Sequence, residues 1–254
     1  GEGVGVVTKP GLPIAVGEAS ITPGPRAQME EALQARNSGN TPDLVVELSI
    51  PGGEEMAAKT LNPRLGIVGG LSVLGTTGIV IPYSCSSWIH SIHRGIDVSR
   101  ALGLKHVIGS TGDTSERAAK AMFDVPDEAL LDMGDFAGGM LKYLAQHPVE
   151  RVTIAGGFGK LTKLAQGALD LHSSRSQVDV SFLKGLAQSD SIDWTAISSA
   201  AQALLACETE GIPIGDRVAA LAQSKAQALL SRESQADILI FDRTGRLVGR
   251  ADGR

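Results

Sequence analysis

Residues 62–84 read NPRLGIVGGLSVLGTTGIVIPYS, and this stretch sets the pattern from which the fold is predicted. A short apolar run at 65–68 is followed by the glycine pair Gly69–Gly70 and by a second cluster of glycine and threonine at 75–78. A short apolar run that ends in a glycine turn indicates a buried strand at a βα crossing. We therefore expect the first strand of an open sheet here.

The same pattern of a strand followed by a glycine turn occurs twice more along the chain. Residues 106–112 read HVIGSTG, and residues 152–159 read VTIAGGFG. Open α/β sheets bind ligands at the carboxyl ends of their parallel strands. We expect the three turns to lie near one another at that edge, where exposed backbone N–H groups can hold a phosphate or a carboxylate.

Hydrophobic periodicity predicts strands that alternate with helices. Strands are predicted at 44–50, 65–68, 106–108, 152–155 and 236–241, and helical patterns at 25–36, 88–102, 115–122, 128–131, 135–146, 161–171, 193–207 and 217–230. This alternation predicts an α/β fold with a mainly parallel open sheet and flanking helices. A polar tail is expected from Arg243 onward.

Two domains are expected from the change in composition along the chain. The segment before the sheet is rich in glycine, proline and turn signals, so residues 1–60 are predicted to be the remnant of an incomplete N-terminal α+β domain. Residues 61–254 are predicted to form the α/β domain with a glycine-turn ligand cleft. Because the chain begins abruptly at Gly1, we also expect a further segment to precede it.

Composition excludes several classes of partner. The chain has 254 residues and a net charge of −5, with charges of both signs spread along it. A nucleic-acid binder would need a basic face, so none is expected. No apolar run approaches the ~20 residues of a membrane span, so no membrane partner is expected. The two cysteines lie far apart in sequence, which favours a reduced cytoplasmic protein.

The glycine turns allow more than one interpretation. The turn at 109–114, GSTGDT, suits an anion or a ribose, although such turns often exist only for backbone geometry. The turn at 156–160 lacks the GxxxxGK[ST] spacing of a phosphate loop. The chain also has no GxGxxG followed by an acid about 20 residues later, which argues against a standard dinucleotide site.

A few other residues can carry chemistry on their own. His90 and His93 are three apart on one predicted helix, but no third or fourth metal ligand can be placed, so packing is the favoured role and no metal is predicted. Cys85 is a nucleophile candidate, although buried structural cysteines are commoner. His172 follows the helix predicted at 161–171, whose C-terminus would favour a protonated imidazole. It is the best acid–base candidate.

Long motifs in the first 180 residues resemble one protein family. They are GEGVGVVTKPGLPIAVGEASITPGPR at 1–26, VELSIPGGEEMAAKTLNPRLGIVGGLSVLGTTGIVIPYS at 46–84, SIHRGIDVSRA at 91–101 and GGFGKLTKLAQGALDLHSSRS at 156–176. The chain thereby resembles the CbiD family, the cobalt-precorrin-5B C(1)-methyltransferases of oxygen-independent cobalamin biosynthesis. Where that family often has asparagine at the end of the turn, this chain has Asp113.

The resemblance implies an activity. The chain would transfer a methyl group from S-adenosylmethionine to carbon 1 of the corrinoid ring of cobalt-precorrin-5B, giving cobalt-precorrin-6A. The family lacks the GxGxG signature of the usual corrin-ring methyltransferases, and so does this chain. Its site residues are therefore assigned from turn position and residue type.

With the resemblance, these assignments complete the expected site. The donor is expected on Gly75, Thr76, Thr77, Gly109, Ser110, Thr111, Gly112, Asp113 and Glu116. The corrinoid is expected on Arg64, Gly156, Gly157, Lys160, Lys163, Ser173 and Arg175. His172 is expected to act as a general base or to orient a carboxylate. The expected partners are the corrinoid substrate and the preceding segment of the chain, and a homo-oligomer is left open.

Two other functions stay open from the residues alone. A non-catalytic corrinoid carrier or scaffold would bind the tetrapyrrole without affinity for S-adenosylmethionine. A nicotinamide-dependent reductase is suggested only by the strand–glycine–helix turns, and the missing GxGxxG argues against it.

Overall fold

A computed structural model describes residues 1–38, 43–75 and 84–253 of the chain. Its contacts divide the chain into two compact units, Gly1–Leu102 and Gly103–Arg254. The sequence places a domain boundary after residue 60 instead, and that assignment stays a prediction.

The described residues of the first unit form short strands and three helices. They are β1 (Gly3–Val4), β2 (Val6–Val7), α1 (Pro23–Arg36), α2 (Gly53–Ala57), β3 (Ile67–Val68), β4 (Gly70–Leu71) and α3 (Cys85–Ala101). β1 pairs with β4 in parallel, and β2 pairs with β3 antiparallel. These pairings tie the start of the chain to the stretch around residue 70.

The strand expected at 65–68 is therefore not the first strand of the open sheet, and that prediction was wrong. The run is interrupted by Gly66 and is followed by Gly69, and these two glycines have φ of +73° and +77° in the left-handed region. Gly70 then meets Gly3 so closely that a Cβ on Gly70 would lie 2.1 Å from the Gly3 carbonyl oxygen. Tight glycine contacts thus hold this stretch against the start of the chain.

The strand expected at 44–50 is also absent, because residues 44–50 are irregular. The Val45 side chain is 97% exposed, and Leu44 and Val46 are exposed as well. β-branched residues favour strands only where a neighbouring strand and a packed face receive them. Among the described residues, no strand pairs with residues 44–50.

The second unit contains the parallel sheet. Its elements are β5 (His106–Ser110), α4 (Asp113–Lys120), β6 (Leu130–Asp132), α5 (Ala137–Gln146), β7 (Arg151–Gly157), α6 (Phe158–Ala165), α7 (Val180–Ala187), α8 (Ala200–Thr209), α9 (Ile214–Gln227), β8 (Gln235–Phe241) and β9 (Leu247–Ala251). The strand order is β6-β5-β7-β8-β9, and every pairing except β8–β9 is parallel. The mainly parallel open sheet with flanking helices is confirmed.

Both faces of this sheet are covered by apolar side chains. On one face, Ile108, Ala155 and Leu239 form a buried cluster with Ala119 of α4. On the other face, Met140 of α5 lies against Gly109, and Leu161 of α6 lies against the backbone of β7. Strands that are buried on both sides read as continuous apolar runs, which is why β5, β7 and β8 are predictable from sequence.

Several elements differ from the sequence-based expectations. Residues 128–131, expected as a helix, form part of a short 3-10 turn and then β6, and the expected polar tail contains β9. The helix expected at 161–171 ends at Ala165. The helix expected at 193–207 begins only at Ala200, because the Ser199 hydroxyl caps it by accepting a hydrogen bond from the Gln202 N–H at 3.3 Å.

Candidate functional site

Two of the predicted glycine turns meet at the carboxyl ends of β5 and β7. These strands are neighbours, and Ser110 lies opposite Ala155 in their ladder. The Thr111 N–H donates to the Ala155 carbonyl at 3.0 Å, and the Lys160 ammonium donates to the Thr111 carbonyl at 3.0 Å. Residues 110–113 and 157–160 thus form one structure, called the cradle below.

A helix begins directly from each side of the cradle. α4 starts after Gly112 and α6 starts after Gly157, and no side chain caps either N-terminus. The first turn of a helix leaves backbone N–H groups without intrahelical partners and carries the positive end of the helix dipole. The cradle therefore presents two sets of amide donors at neighbouring strand ends.

The glycines of this edge fall into two groups. A Cβ at Gly109 would lie 2.3 Å from the Met140 sulfur, and one at Gly156 would lie 2.0 Å from a methyl of Leu161, so packing requires both glycines. A Cβ at Gly112 or Gly157 would meet nothing within 4 Å. Their backbone angles also suit any residue. Gly112 and Gly157 thus leave open space above the cradle.

The cradle contains buried polar groups. Ser110 is 1% exposed, and its hydroxyl has no hydrogen-bond partner among the described residues. The Lys160 ammonium lies 3.1 Å from a carboxylate oxygen of Asp135, which follows β6. Asp135 was missed from the sequence, because finding it requires recognising β6 as a strand whose end joins the same edge. Asp113 and Glu116 add negative charge to the first turn of α4.

Lys163 lies in the interior of the second unit. Its side chain is buried, and its ammonium donates to the Leu171 carbonyl at 2.9 Å. It therefore fixes the loop after α6 that carries His172. Its expected contact with the corrinoid stays a prediction, and this placement gives Lys163 a structural role.

His172, Ser173 and Arg175 lie together on the exposed loop between α6 and α7. Because α6 ends at Ala165, its dipole does not act on His172 as expected from sequence. The Ser174 N–H donates to His172 Nδ1 at 3.2 Å, and the Ser174 hydroxyl lies 2.7 Å from the same atom. Nδ1 is thus an acceptor, which in the neutral imidazole places the proton on Nε2.

The remaining predicted site residues belong to the first unit. Gly75 is exposed with φ of +117°, and Arg64 has a half-buried side chain. Thr76 and Thr77 lie outside the described residues. His90 and His93 have ring centroids 6.0 Å apart, and Cys85 is an exposed free thiol. In the described ranges no group of three or more metal-ligating side chains occurs.

A buried polar network lies at the opposite end of the sheet. Asp237 is 2% exposed and accepts hydrogen bonds from Arg151 Nε, from the Thr153 hydroxyl at 3.3 Å and from the Gly253 N–H at 2.7 Å. His106 Nε2 lies 2.8 Å from the Thr153 hydroxyl. Burial lowers the pKa of His106, the charge of Arg151 lowers it further, and Asp237 opposes both. This network joins strands and is separate from the cradle.

Comparisons with known proteins identify the family. The family model described as CbiD matches residues 1–82. The chain is 55% identical to the cobalt-precorrin-5B C(1)-methyltransferase of Paramagnetospirillum magneticum, over 99% of this chain and 72% of that protein. It is 54% identical to the Bradyrhizobium sp. protein of the same name, over 100% of this chain and 70% of that protein. The chain belongs to the CbiD family of cobalt-precorrin-5B C(1)-methyltransferases.

A solved structure is also similar to the chain. It is the crystal structure of the cobalamin biosynthesis protein CbiD from Archaeoglobus fulgidus, 27% identical over 69% of this chain. This chain spans 54% of that protein, and the two superpose with a TM-score of 0.27. Among the described residues, no helix is long and apolar enough to cross a bilayer.

Proposed function

We propose that this chain uses S-adenosylmethionine to methylate carbon 1 of cobalt-precorrin-5B, giving cobalt-precorrin-6A. The observation that carries the proposal is its high identity, over almost its whole length, to proteins named for that methyl transfer. Relatives with this name favour an enzyme over the carrier or reductase that the residues alone leave open.

The cradle suits the methyl donor. S-adenosylmethionine carries a sulfonium, a ribose and an amino-acid group, so its site needs both amide donors and acidic acceptors. The first turns of α4 and α6 supply the amides, and Asp113 and Glu116 can accept hydrogen bonds from ribose hydroxyls. Gly112 and Gly157 leave room for a ligand close to the backbone. Gly156, Gly157 and Lys160, which the sequence analysis expects on the corrinoid, lie beside residues 109–113 and are proposed to bind the donor with them.

The loop after α6 suits the corrinoid. That acceptor is a large, flat macrocycle with several carboxylates, and it needs an open surface with cationic donors. Arg175 is exposed, and no hydrogen bond or ion pair within the described residues engages its guanidinium. Guanidinium groups bind carboxylates with two parallel hydrogen bonds. Arg175, with Ser173 beside it, is proposed to hold an acceptor carboxylate, and Arg64 is retained as a second candidate.

The chemistry requires mainly positioning. The sulfur–methyl bond breaks with its electron pair staying on sulfur, while the new carbon–carbon bond forms from an electron pair of the macrocycle. An in-line displacement of this kind is favoured by holding the reacting atoms in line and excluding water. With its proton on Nε2, His172 is suited to donate a hydrogen bond to an acceptor carboxylate, and this favours an orienting role over that of a general base.

Calorimetric titration with S-adenosylhomocysteine, the demethylated donor, tests the proposal. We expect micromolar binding, about −8 kcal/mol. A carrier would bind a corrinoid such as cobyrinic acid and show no heat with S-adenosylhomocysteine. A reductase would instead bind NADH or NADPH. Either of these results would contradict the proposal.

A further inference from the structure

Ser110 is a buried polar residue of the cradle whose hydroxyl has no hydrogen-bond partner among the described residues. Ser110 and Ile108 point to the same face of β5, since side chains two apart in a strand share a face, and Ile108 packs against Ala119 of α4. The Ser110 hydroxyl is therefore on the α4 side, at the strand end from which α4 begins. A buried hydroxyl without a partner costs about 1–3 kcal/mol. A ligand that accepted its hydrogen bond would remove this cost.

The same place offers amide donors from two helices. α4 and α6 each span eight residues, and no side chain caps the start of either helix. The turn before α4 lies beside the turn before α6. The contact between Lys160 and the Thr111 carbonyl holds the two turns together. Hydroxyl and amide donors at two adjacent strand ends suit a small planar anion, and a carboxylate is the shared chemistry of donor and acceptor.

The charges around the cradle favour a carboxylate of the methyl donor over a carboxylate of the corrinoid acceptor. Lys160 is paired with Asp135, so this pair adds no net charge. Asp113 then adds a negative charge at the first turn of α4. A macrocycle with several carboxylates would be repelled at this position, whereas S-adenosylmethionine combines a single carboxylate with an ammonium and a sulfonium.

We propose that the cradle binds the carboxylate of the donor's amino-acid group, through the Ser110 hydroxyl and the first-turn amides of α4 and α6. A serine hydroxyl rotates among three staggered positions, so Ser110 can turn toward a carboxylate at little cost. This inference rests on the proposed function, because it presumes S-adenosylmethionine as donor. In this proposal, the turns at 110–113 and 157–160 both bind the amino-acid end of S-adenosylmethionine.

Two donor analogues and two serine variants test the inference, and cobyrinic acid probes the acceptor. S-adenosylhomocysteine contains the amino-acid group, and 5′-methylthioadenosine keeps the adenosine and sulfur but lacks it. Ser110→Ala is compared with Ser234→Ala, because Ser234 is also 1% exposed and its hydroxyl also has no partner among the described residues. Each variant removes one buried hydroxyl, so thermal unfolding should respond alike in both.

The expected result is a selective loss. Ser110→Ala should weaken the binding of S-adenosylhomocysteine about tenfold or more, as expected for a lost hydrogen bond to a charged group. It should leave 5′-methylthioadenosine unchanged, and Ser234→Ala should change neither affinity.

Four results would overturn the inference. Unchanged affinity of Ser110→Ala for S-adenosylhomocysteine would remove Ser110 from the subsite. An equal loss of affinity for S-adenosylhomocysteine and 5′-methylthioadenosine would mean that Ser110 contacts a part of the donor other than its amino-acid group. Weaker binding of cobyrinic acid with normal S-adenosylhomocysteine binding would assign the cradle to the acceptor. If the unmodified chain does not bind S-adenosylhomocysteine, the proposed donor itself fails, and the subsite fails with it.

Discussion

At the scale of single residues, substitutions of Gly112 and Gly157 should affect ligand binding without affecting packing. We expect Gly112→Ala and Gly157→Ala to leave the free energy of unfolding within about 0.5 kcal/mol, because a Cβ there meets nothing within 4 Å. The same changes should weaken S-adenosylhomocysteine at least fivefold, because the Cβ occupies space needed by the ligand. Urea unfolding and calorimetry measure the two effects.

Gly156→Ala serves as the matched control for those variants. Its Cβ would lie 2.0 Å from a methyl of Leu161, a side chain that is itself fully buried. We expect a loss of about 1–3 kcal/mol of stability from overpacking. If Gly112→Ala and Gly157→Ala destabilise the chain as much as Gly156→Ala does, the open space above the cradle is not real.

The His172 tautomer gives a second prediction at this scale. The amide of glutamine can replace an Nε2–H donor, and that of asparagine can replace an Nδ1 group. We expect His172→Gln to keep most of kcat/KM for the corrinoid and His172→Asn to lose at least tenfold, with S-adenosylhomocysteine binding unchanged in both. A general base would lose activity in both variants, since neither amide titrates.

His106 gives a dependence of stability on pH. Its pKa in the folded chain lies below the usual value of 6.5, because it is partly buried and close to Arg151. As the pH falls below 6.5, the unfolded chain takes up the proton first, so folding stability declines until the lower folded pKa is reached. Above pH 6.5 this penalty is absent.

Replacing this histidine should remove that decline. We expect the urea midpoint of the unmodified chain to fall between pH 7 and pH 5, and His106→Gln to flatten this change. Asp242, whose pKa is lowered to about 2, loses its contribution only in more acidic solution, below the usual aspartate range. A slope that persists between pH 7 and pH 5 in the variant would contradict the assignment to His106.

At the scale of elements, Asp237 joins β7, β8 and the end of the chain. Its carboxylate is almost fully buried and accepts hydrogen bonds from Arg151, Thr153 and Gly253. We expect Asp237→Asn to cost about 1–3 kcal/mol, because the amide cannot satisfy all three donors and leaves Arg151 without its counter-charge. Asp252→Asn, which breaks the exposed pair with Arg250, should cost less than about 1 kcal/mol.

The position of a strand in the sheet decides how well its sequence predicts it. β5, β7 and β8 are predictable because each is a continuous apolar run in the centre of a sheet. β9 lies in a stretch with little apolar pattern, and it packs on α9 through Gly249 against Gly215, where a Cβ on Gly215 would lie 1.7 Å from the Val248 carbonyl oxygen. A glycine-to-glycine contact leaves no hydrophobic signal in the sequence.

At the scale of the whole chain, local pattern predicts the second unit better than the first. The second unit repeats a strand, a turn and a helix, so each crossing is encoded within a few tens of residues. In the first unit, Gly3 pairs with Gly70 through strands of two residues, and such distant pairings have no periodicity. Two glycine turns of the candidate site were found for the same local reason, whereas Asp135 depended on an unrecognised strand.

Methyl transfer by this chain can be tested in a single labelling assay. The chain is incubated with cobalt-precorrin-5B and S-adenosylmethionine labelled with carbon-13 in its methyl group, and the corrinoid is analysed by mass spectrometry and NMR. We expect one labelled methyl group at carbon 1, with one S-adenosylhomocysteine formed per methyl transferred. A corrinoid that binds to the chain and stays unlabelled would contradict the claim and favour a carrier.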